Sequence, residues 1–321
     1  MLILHRDDFT SQPPVRSIVL VFGVGLIGSH VVEALLRRAY ILYETIAYSW
    51  LNAQNHSFEF QKISEYIRGL THHPAFEFSC RIDFLWSAGK GGFGMSENDM
   101  LDELLLFSDL LTFAQRLSVS LPNYPIRFHM TSSAGGLFEG QRNVKSNSIP
   151  CAKRPYAALK IQEEELLSSS KHLIKIIYRL SSVYGFSGLH NRLGLIPTLL
   201  WNGHTNKVSV IFGSPDTLRD YVWVQDIAEF IAGMIESKNN DSKKLILASG
   251  KPTSVQEISI HVQRFLNKQI FLRYVKDGGN SAHNTFSMET RTEGWIPSDL
   301  ETGIRKTGLL LFISDIPHPT R

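Results

Sequence analysis

The pattern of apolar and polar positions predicts an α/β protein built on a parallel sheet. Short, continuous apolar runs rich in β-branched residues recur along the chain, as is typical of strands buried on both faces of a parallel sheet. Segments with helical spacing separate these runs, and this alternation predicts a doubly wound sheet with helices on both faces. The predicted strands are Ser17–Phe22, Thr45–Trp50, Ile82–Trp86, Ile126–Thr131 and Ile174–Leu180.

The same pattern predicts the main helices. They include a polar amphipathic helix at 55–75, a long apolar helix at 98–118 and a helix that begins at Pro155. The apolar residues of 98–118 exceed one stripe, so either both of its faces are buried or part of it contacts a second subunit. In the helix that begins at Pro155, Glu163-Glu164-Glu165 is interpreted as a solvated face. Asp226 is predicted to be the N-cap of a later helix.

After Gly185 the composition shifts towards glycine and proline, and the predicted elements become short and mixed. This change predicts a second domain. We therefore expect a dinucleotide-binding domain at 1–181, to which 220–236 returns, and a smaller α/β substrate-binding domain at 182–321. Residues 1–15 are interpreted as a short arm to which the sequence assigns no role.

Composition and charge narrow the class of protein. The 43% hydrophobic and 20% charged fractions are ordinary for a soluble enzyme, and the chain lacks an apolar run long enough to span a membrane. A formal net charge of +3 without a basic run does not indicate nucleic acid as a partner. Cys80 and Cys151 form neither a disulfide pattern nor a metal motif, which predicts a cytoplasmic protein without a metal site.

A glycine motif follows the first predicted strand. The segment Gly23-Val24-Gly25-Leu26-Ile27-Gly28 leads from the strand into a helical pattern. In that context the glycines permit a tight turn and close backbone approach, and the helix N-terminus offers free N–H groups to a pyrophosphate. A Rossmann-type nucleotide site is therefore predicted, and the alternative is a strand–turn–helix without a ligand.

A tyrosine and a lysine four residues apart provide the candidate chemistry. Tyr156 and Lys160 share one face of the helix that begins at Pro155, and a neighbouring ammonium favours the phenolate form of a tyrosine. Ser132 and Ser133, at the end of the fourth predicted strand, could bring a hydroxyl to the same place. The Tyr-x-x-x-Lys spacing also arises readily by chance in a chain with ten tyrosines. It indicates a catalytic pair only if neighbouring motifs build a site around it.

Taken in order, five motifs give the chain a specific resemblance. They are the glycine motif, Thr131-Ser132-Ser133-Ala134-Gly135-Gly136, Arg154-Pro155-Tyr156-Ala157-Ala158-Leu159-Lys160, the segment 178–185 and the segment 217–226. With these motifs the chain resembles the NAD(P)-dependent epimerase/dehydratase family, the extended short-chain dehydrogenase/reductases that act on nucleotide sugars.

The resemblance implies a role for each matching residue. Tyr156 would be the acid/base, Lys160 would hold the nicotinamide ribose and favour the phenolate, and Ser133 would bind the reacting oxygen. Ser132 is a rival for that role and otherwise a cofactor contact. The other implied cofactor contacts are Gly23, Gly25, Leu26, Ile27, Gly28, Ser182 and Val183. Substrate contacts are implied at Arg219, for the diphosphate, and at Asn191.

The resemblance also implies NAD as the cofactor, with NADP left open, a nucleotide sugar as the substrate and a homodimer formed by the 98–118 and Tyr156 helices. Phe22 stands where the family begins its glycine turn, and no acidic residue for the adenosine ribose follows Trp50. An ion pair with Asp216 or Asp220 is an alternative explanation of Arg219.

The residues after Ser133 narrow the reaction. Family dehydratases follow the catalytic hydroxyl with an acidic pair, whereas Ala134 and Gly135 cannot transfer protons. A nucleotide-sugar epimerase with a tightly bound, recycled cofactor is therefore the leading hypothesis. The alternatives are an NAD(P)-dependent sugar reductase or dehydrogenase, and a non-catalytic nucleotide-binding member of the fold.

Overall fold

A seven-stranded, mostly parallel sheet forms the centre of the protein. The computed structural model describes residues 1–48, 56–71, 79–89, 94–188, 193–275 and 282–313. Within these ranges the strands are β1 Leu2–Asp8, β2 Val15–Phe22, β3 Ile41–Thr45, β4 Ser79–Trp86, β5 Ile126–Ser133, β6 Ile174–Leu180, β7 Ser182–Tyr184, β8 Val208–Phe212, β9 Leu218–Trp223, β10 Lys243–Leu247, β11 Pro252–Ser254 and β12 Phe271–Val275. The helices are α1 Leu26–Arg37, α2 His56–Thr71, α3 Glu97–Ser120, α4 Ala134–Leu137, α5 Pro155–Ser169, α6 Leu195–His204, α7 Val224–Glu236, α8 Val255–Leu266 and α9 Leu300–Ile313.

The order of the large sheet is β10-β6-β5-β4-β2-β1-β3, and the five strands from β10 to β2 run parallel. One face is covered by α1 and α7, which pack on each other over one apolar core. The other face carries α2 and α3 over a second core. Because helices cover both faces, the strands are mainly apolar, and buried charged side chains such as Asp83 and Arg127 pair with each other. The predicted α/β class with a doubly wound, Rossmann-type sheet is confirmed.

The first residues form a strand, so the interpretation of residues 1–15 as an arm is wrong for Leu2–Asp8. Strand β1 lies antiparallel between β2 and β3, and Ile3 and Leu4 are buried in the cores on opposite faces of the sheet. Successive side chains of a strand point to opposite faces, so two adjacent apolar residues suffice to anchor it. So short an apolar run does not stand out in the sequence.

The strand after α1 also differs from its prediction. Strand β3 ends at Thr45, and Ile46–Tyr48 continue without strand structure, while residues 49 and 50 lie outside the described ranges. Because β1 occupies the place beside β2, β3 lies one strand spacing farther out, about 4.8 Å. The carboxyl end of the strand after α1, where this fold class usually carries its ribose-binding acid, is therefore displaced from the glycine turn.

A smaller part of the chain collects beside the carboxyl ends of the parallel strands. It contains a three-stranded sheet, β11-β9-β7, and a two-stranded sheet, β12-β8. Helices α6, α8 and α9 share an apolar core with them. The division into domains at 181/182 stays a prediction, although β10 of the later sequence joins the large sheet and α7 packs on α1.

The predicted long helix and the predicted start at Pro155 are both found, as α3 and α5. The prediction for Asp226 is wrong, because β9 runs directly into α7 and Trp223 occupies the N-cap position. Asp226 instead lies in the first turn, where it accepts hydrogen bonds from the Ser298 backbone N–H and hydroxyl. Among the described residues, we find no helix with the length and hydropathy of a membrane span.

Candidate active site

A cavity of about 360 Å³ lies at the carboxyl ends of the parallel strands, where open α/β sheets bind their ligands. Its wall combines the start of α1, the segments that follow β4, β5 and β6, the first turns of α5 and single side chains from α3 and β9. The predicted site residues that line it together are Gly25, Leu26, Ile27, Ser132, Ser133, Tyr156, Lys160, Ser182, Val183 and Arg219.

The glycine turn exposes the N-terminus of α1 to this cavity. Gly25 is the N-cap, its position carries no capping side chain, and the first turn of α1 contains no acidic residue. The backbone N–H groups and the positive end of the helix dipole are therefore available to an anion, as a pyrophosphate requires. Gly23 adopts φ +93°, a conformation that other residues rarely adopt.

Gly28 serves the packing of this turn rather than the cavity surface. A Cβ atom there would overlap the Gly23 carbonyl oxygen and lie 2.6 Å from the Ser87 hydroxyl, which itself donates to that carbonyl at 2.7 Å. A Cβ atom on Gly25 would meet nothing within 4 Å. Gly28 is therefore needed for packing within the turn, whereas Gly25 leaves the surface of the cavity open.

This difference predicts contrasting effects of two alanine substitutions. We expect Gly28→Ala to destabilise the fold by about 1–3 kcal/mol, because backbone atoms must shift to admit the methyl group. Gly25→Ala should leave stability within about 0.5 kcal/mol and change only ligand affinity. Urea unfolding of both variants checks this, and equal stability of the two would contradict the packing role of Gly28.

The two candidate serines at the end of β5 have different surroundings. The Ser132 hydroxyl donates to Glu164 at 2.7 Å and is buried. The Ser133 hydroxyl caps the short helix α4 by accepting from the Gly136 N–H at 3.0 Å. A Cβ atom on Gly136 would lie 3.3 Å from both the Ser133 Oγ and the Tyr156 ring, so this glycine lets the two groups approach. Ser133 therefore lies beside Tyr156, whereas the Ser132 hydroxyl is hydrogen-bonded to Glu164.

Tyr156 and Lys160 occupy the first two turns of α5. The Lys160 Nζ lies 5.9 Å from the centre of the Tyr156 ring and is buried. It donates to Glu163 at 2.7 Å and to Glu103 of α3 at 3.1 Å. Burial by itself would lower the pKa of Lys160, but the two carboxylates raise it above its ordinary value, so the side chain remains an ammonium group.

The interpretation of Glu163-Glu164-Glu165 as a solvated face is wrong for its first two members. Glu163 and Glu164 are buried, because they follow Lys160 by three and four residues and share its inward face. Glu164 accepts from Arg179 of β6 at 2.7 Å and from Ser132. Burial alone would raise the pKa of Glu164, but Arg179 lowers it below its ordinary value.

The remaining predicted contacts lie on the far side of the cavity. Ser182 and Val183 of β7 line its wall, and Arg219 of β9 reaches it from the smaller part of the chain. Asp220 accepts from the Ser249 and Gly250 N–H groups at 2.7 Å each, on the other side of β9. Asn191 lies outside the described residues.

Among the described residues of the cavity wall, one charged side chain, Glu103, was not predicted from the sequence to belong to the site. Glu103 shares the buried face of α3 with Phe107, Leu110 and Ala114. Its helical spacing from these apolar residues was the available signal, because a carboxylate in register with a core face needs a partner there.

A second cavity of about 280 Å³ adjoins the first along the glycine turn. The two share Gly25, Glu103 and the segment Ser87–Gly89, and the second adds Gly23, Asp99 and Asp102. Together the two cavities form an extended cleft for a ligand on both sides of the α1 N-terminus. The residues that line the two cavities therefore fit the pyrophosphate and nicotinamide halves of a dinucleotide. The acidic residue near the carboxyl end of β3, Glu44, lines neither cavity.

Comparisons with known proteins agree with this geometry. The family model described as "NAD dependent epimerase/dehydratase family" matches residues 19–248 of this chain. A putative UDP-glucose 4-epimerase of Methanocaldococcus jannaschii is 25% identical over 302 residues, which cover 90% of this chain and 96% of that protein.

Solved structures show the same fold. A Thermus thermophilus UDP-glucose 4-epimerase in complex with NAD superposes with a TM-score of 0.72 at 19% identity, over 93% of this chain and 98% of that one. A Bacillus cereus UDP-glucuronic acid 4-epimerase, in complex with UDP-glucuronic acid and NAD, gives 0.65 at 17% identity, over 92% and 99%.

Proposed function

Because the chain belongs to the NAD dependent epimerase/dehydratase family, we propose that it is a nucleotide-sugar 4-epimerase that keeps a tightly bound NAD. Family membership confirms the predicted class of enzyme, and the proposal goes on to the reaction. One observation carries it: a single cavity joins the exposed helix N-terminus, the Ser133, Tyr156 and Lys160 side chains and Arg219.

The chain's own residues divide the work of such a reaction. The start of α1 would bind the pyrophosphate of the cofactor, and Lys160, Ser182 and Val183 would hold its nicotinamide half, which supplies a hydride acceptor when bound. Tyr156 takes the proton of the sugar hydroxyl and later returns it, while Ser133 orients that oxygen. Arg219 suits the substrate diphosphate because a guanidinium binds phosphate oxygens in pairs.

The lining of the cavity supports epimerisation over dehydration. Elimination of water needs acid and base groups of its own, and Ser133 is followed by Ala134, which is buried, and by Gly135. Among the described lining residues of this cavity the only carboxylate is Glu103, and it is paired with Lys160. This cavity therefore offers, among its described lining residues, no unpaired carboxylate for the additional proton transfers.

The proposal is tested by purifying the protein, releasing any bound nicotinamide cofactor for mass spectrometry and supplying nucleotide sugars. UDP-glucose, UDP-glucuronic acid and UDP-N-acetylglucosamine form the first panel, because similar proteins carry these substrates in their names. We expect the 4-epimer in the NMR spectrum without net change of nicotinamide absorbance. Stoichiometric formation of NADH would indicate a dehydrogenase instead, and absence of any cofactor binding would indicate a non-catalytic member.

The homodimer implied by the resemblance remains part of the proposal. Helices α3 and α5 pack on each other, and α3 exposes Leu101, Leu105 and Val119 by 52%, 65% and 66%. Exposed leucines one helical turn apart suit a helix-to-helix contact with a second copy. Light scattering in solution gives the mass that decides this.

A further inference from the structure

The most unusual feature of the site is the pair of carboxylates that enclose Lys160. Glu163 comes from the same helix at 2.7 Å, and Glu103 comes from α3 at 3.1 Å. The second oxygen of Glu163 accepts the indole N–H of Trp86 at 3.2 Å. All four side chains are at most 8% exposed. The ammonium group next to Tyr156 is therefore held from two elements rather than left to face the cavity alone.

The placement of Glu103 is built into the fold. It stands in the wall shared by the two cavities, and Gly89 of the loop after β4 passes directly over it. A Cβ atom on Gly89, which has φ +136°, would lie 2.5 Å from the Glu103 Oε1. A side chain at position 89 would have to displace the Glu103 carboxylate, so the absence of one leaves that carboxylate in place against Lys160.

We propose that Glu103 is a positioning residue of the candidate active site: together with Glu163 it fixes Lys160 beside Tyr156 and sets the net charge of the group. The proposal rests on the proposed function for its catalytic meaning. With both carboxylates ionised, the cluster of Glu103, Lys160 and Glu163 has one net negative charge, and with one proton added it is neutral. Because Glu103 supplies one of the two negative charges beside Lys160, we expect its removal to lower the pH range in which the site works.

The groups around Lys160 indicate which member of the cluster takes up the added proton. In the described part of the chain, the titratable groups that act on it are Glu103 from α3 and Glu163 and Tyr156 from its own helix. Burial raises the pKa of Glu163 to about 7, Lys160 opposes this increase, and the neighbouring Glu103 adds to it. The charge of the cluster therefore changes near neutral pH, where Glu163 takes up a proton.

Infrared titration of the full-length protein tests the proposal without any need for turnover. Wild type should show a buried protonated-carboxyl band that disappears with a midpoint near pH 7 and is missing in Glu163→Gln. In Glu103→Gln, which keeps the shape but removes one negative charge, the midpoint should fall by about two pH units. Glu97→Gln is the matched control, since Glu97 is an exposed carboxylate in the first turn of the same helix. It should leave the midpoint unchanged.

The pH profile of kcat supplies the second readout. For Glu103→Gln we expect its acidic limb to move about one pH unit lower, whereas a merely structural role would lower kcat at every pH alike. An unchanged midpoint in Glu103→Gln, or a wild-type band that survives in Glu163→Gln, overturns the proposal. If the band shifts as expected while the protein neither binds NAD nor turns over a sugar, the cluster stands and the proposed function fails. If Glu103→Gln does not fold, the same pH profile is measured on Glu163→Gln, where the limb should move in the same direction.

Discussion

Replacing Tyr156 with phenylalanine is expected to lower kcat for epimerisation by about 10²–10⁴-fold, the usual contribution of a positioned acid/base group. The ring on α5 would still pack beside Gly136 of α4, so the loss is confined to the hydroxyl that moves the proton. Folding and cofactor content should therefore match wild type. Steady-state kinetics with the nucleotide sugar that proves active, together with the amount of NAD released on denaturation, provide the measurement.

A second tyrosine offers a control for this substitution. Tyr274 lies on β12, away from the cavity, and is 39% exposed. Tyr274→Phe should leave kcat and KM unchanged. Undiminished turnover of Tyr156→Phe would remove Tyr156 from the reaction and would leave the cavity without its candidate acid/base.

Replacing Arg127 with methionine is expected to destabilise the protein by about 3–5 kcal/mol, because the buried Asp83 carboxylate loses its hydrogen-bonded guanidinium and keeps only the more distant Arg81, at 3.5 Å, as a cationic neighbour. Arg127 is 1% exposed, and its Nε donates to the Asp83 carboxylate at 2.6 Å, while Asp83 and His129 are fully buried. The guanidinium also bonds carbonyl oxygens at the end of α7, including that of Ser237 at 2.7 Å. The Arg127 side chain thus donates hydrogen bonds both to a carboxylate within the sheet and to the carbonyl groups at the end of α7.

The loss of stability in Arg127→Met should depend on pH, and the pKa of Asp83 determines the direction of that dependence. Burial by itself raises that pKa, but Arg127 and His129 bring it down to about 2. In wild type the ionised Asp83 therefore stabilises the fold above its unfolded pKa of about 3.9, and this contribution is lost between about pH 3.9 and pH 2. Without Arg127 the pKa rises, so the folded variant takes up a proton and its deficit relative to wild type shrinks as the pH falls from 7.

Urea unfolding at pH 7 and pH 5 measures both parts of this prediction. Arg37→Met is the control, since Arg37 pairs with Glu229 at 2.7 Å on the surface with 52% of its side chain exposed. Its cost should stay below about 1 kcal/mol at either pH. Equal losses for the two arginines would show that the buried charge is not what stabilises the sheet.

Much of the site could be predicted from the sequence because it depends on spacing along one strand or one helix. The strand, the turn of Gly23–Gly28 and the following helix are consecutive, so their order alone indicates an anion site at a helix N-terminus. Tyr156 and Lys160 are one helical turn apart, and Pro155 marks where their helix begins. Such relations need no knowledge of distant residues.

Other features could not be predicted because they depend on which distant elements meet. A short apolar run such as Ile3–Leu4 forms a strand only when it pairs with β2 and β3. Glu163 and Glu164 read as a polar face until Lys160 and Arg179 are seen to supply the opposite charges. The choice between Ser132 and Ser133 likewise depends on Glu164 binding the first hydroxyl.

The sequence by itself therefore determined the fold class and the spacing of the candidate site residues, which follow from local periodicity and turn chemistry, and its ordered motifs carried the resemblance to the family. Only the tertiary structure decided that Lys160 is enclosed by Glu103 and Glu163, and that β1 separates β3 from the glycine turn. The physical reason is the same in both cases. Burial of a charge or of a strand edge is favourable only when a group from elsewhere in the chain completes its hydrogen bonds.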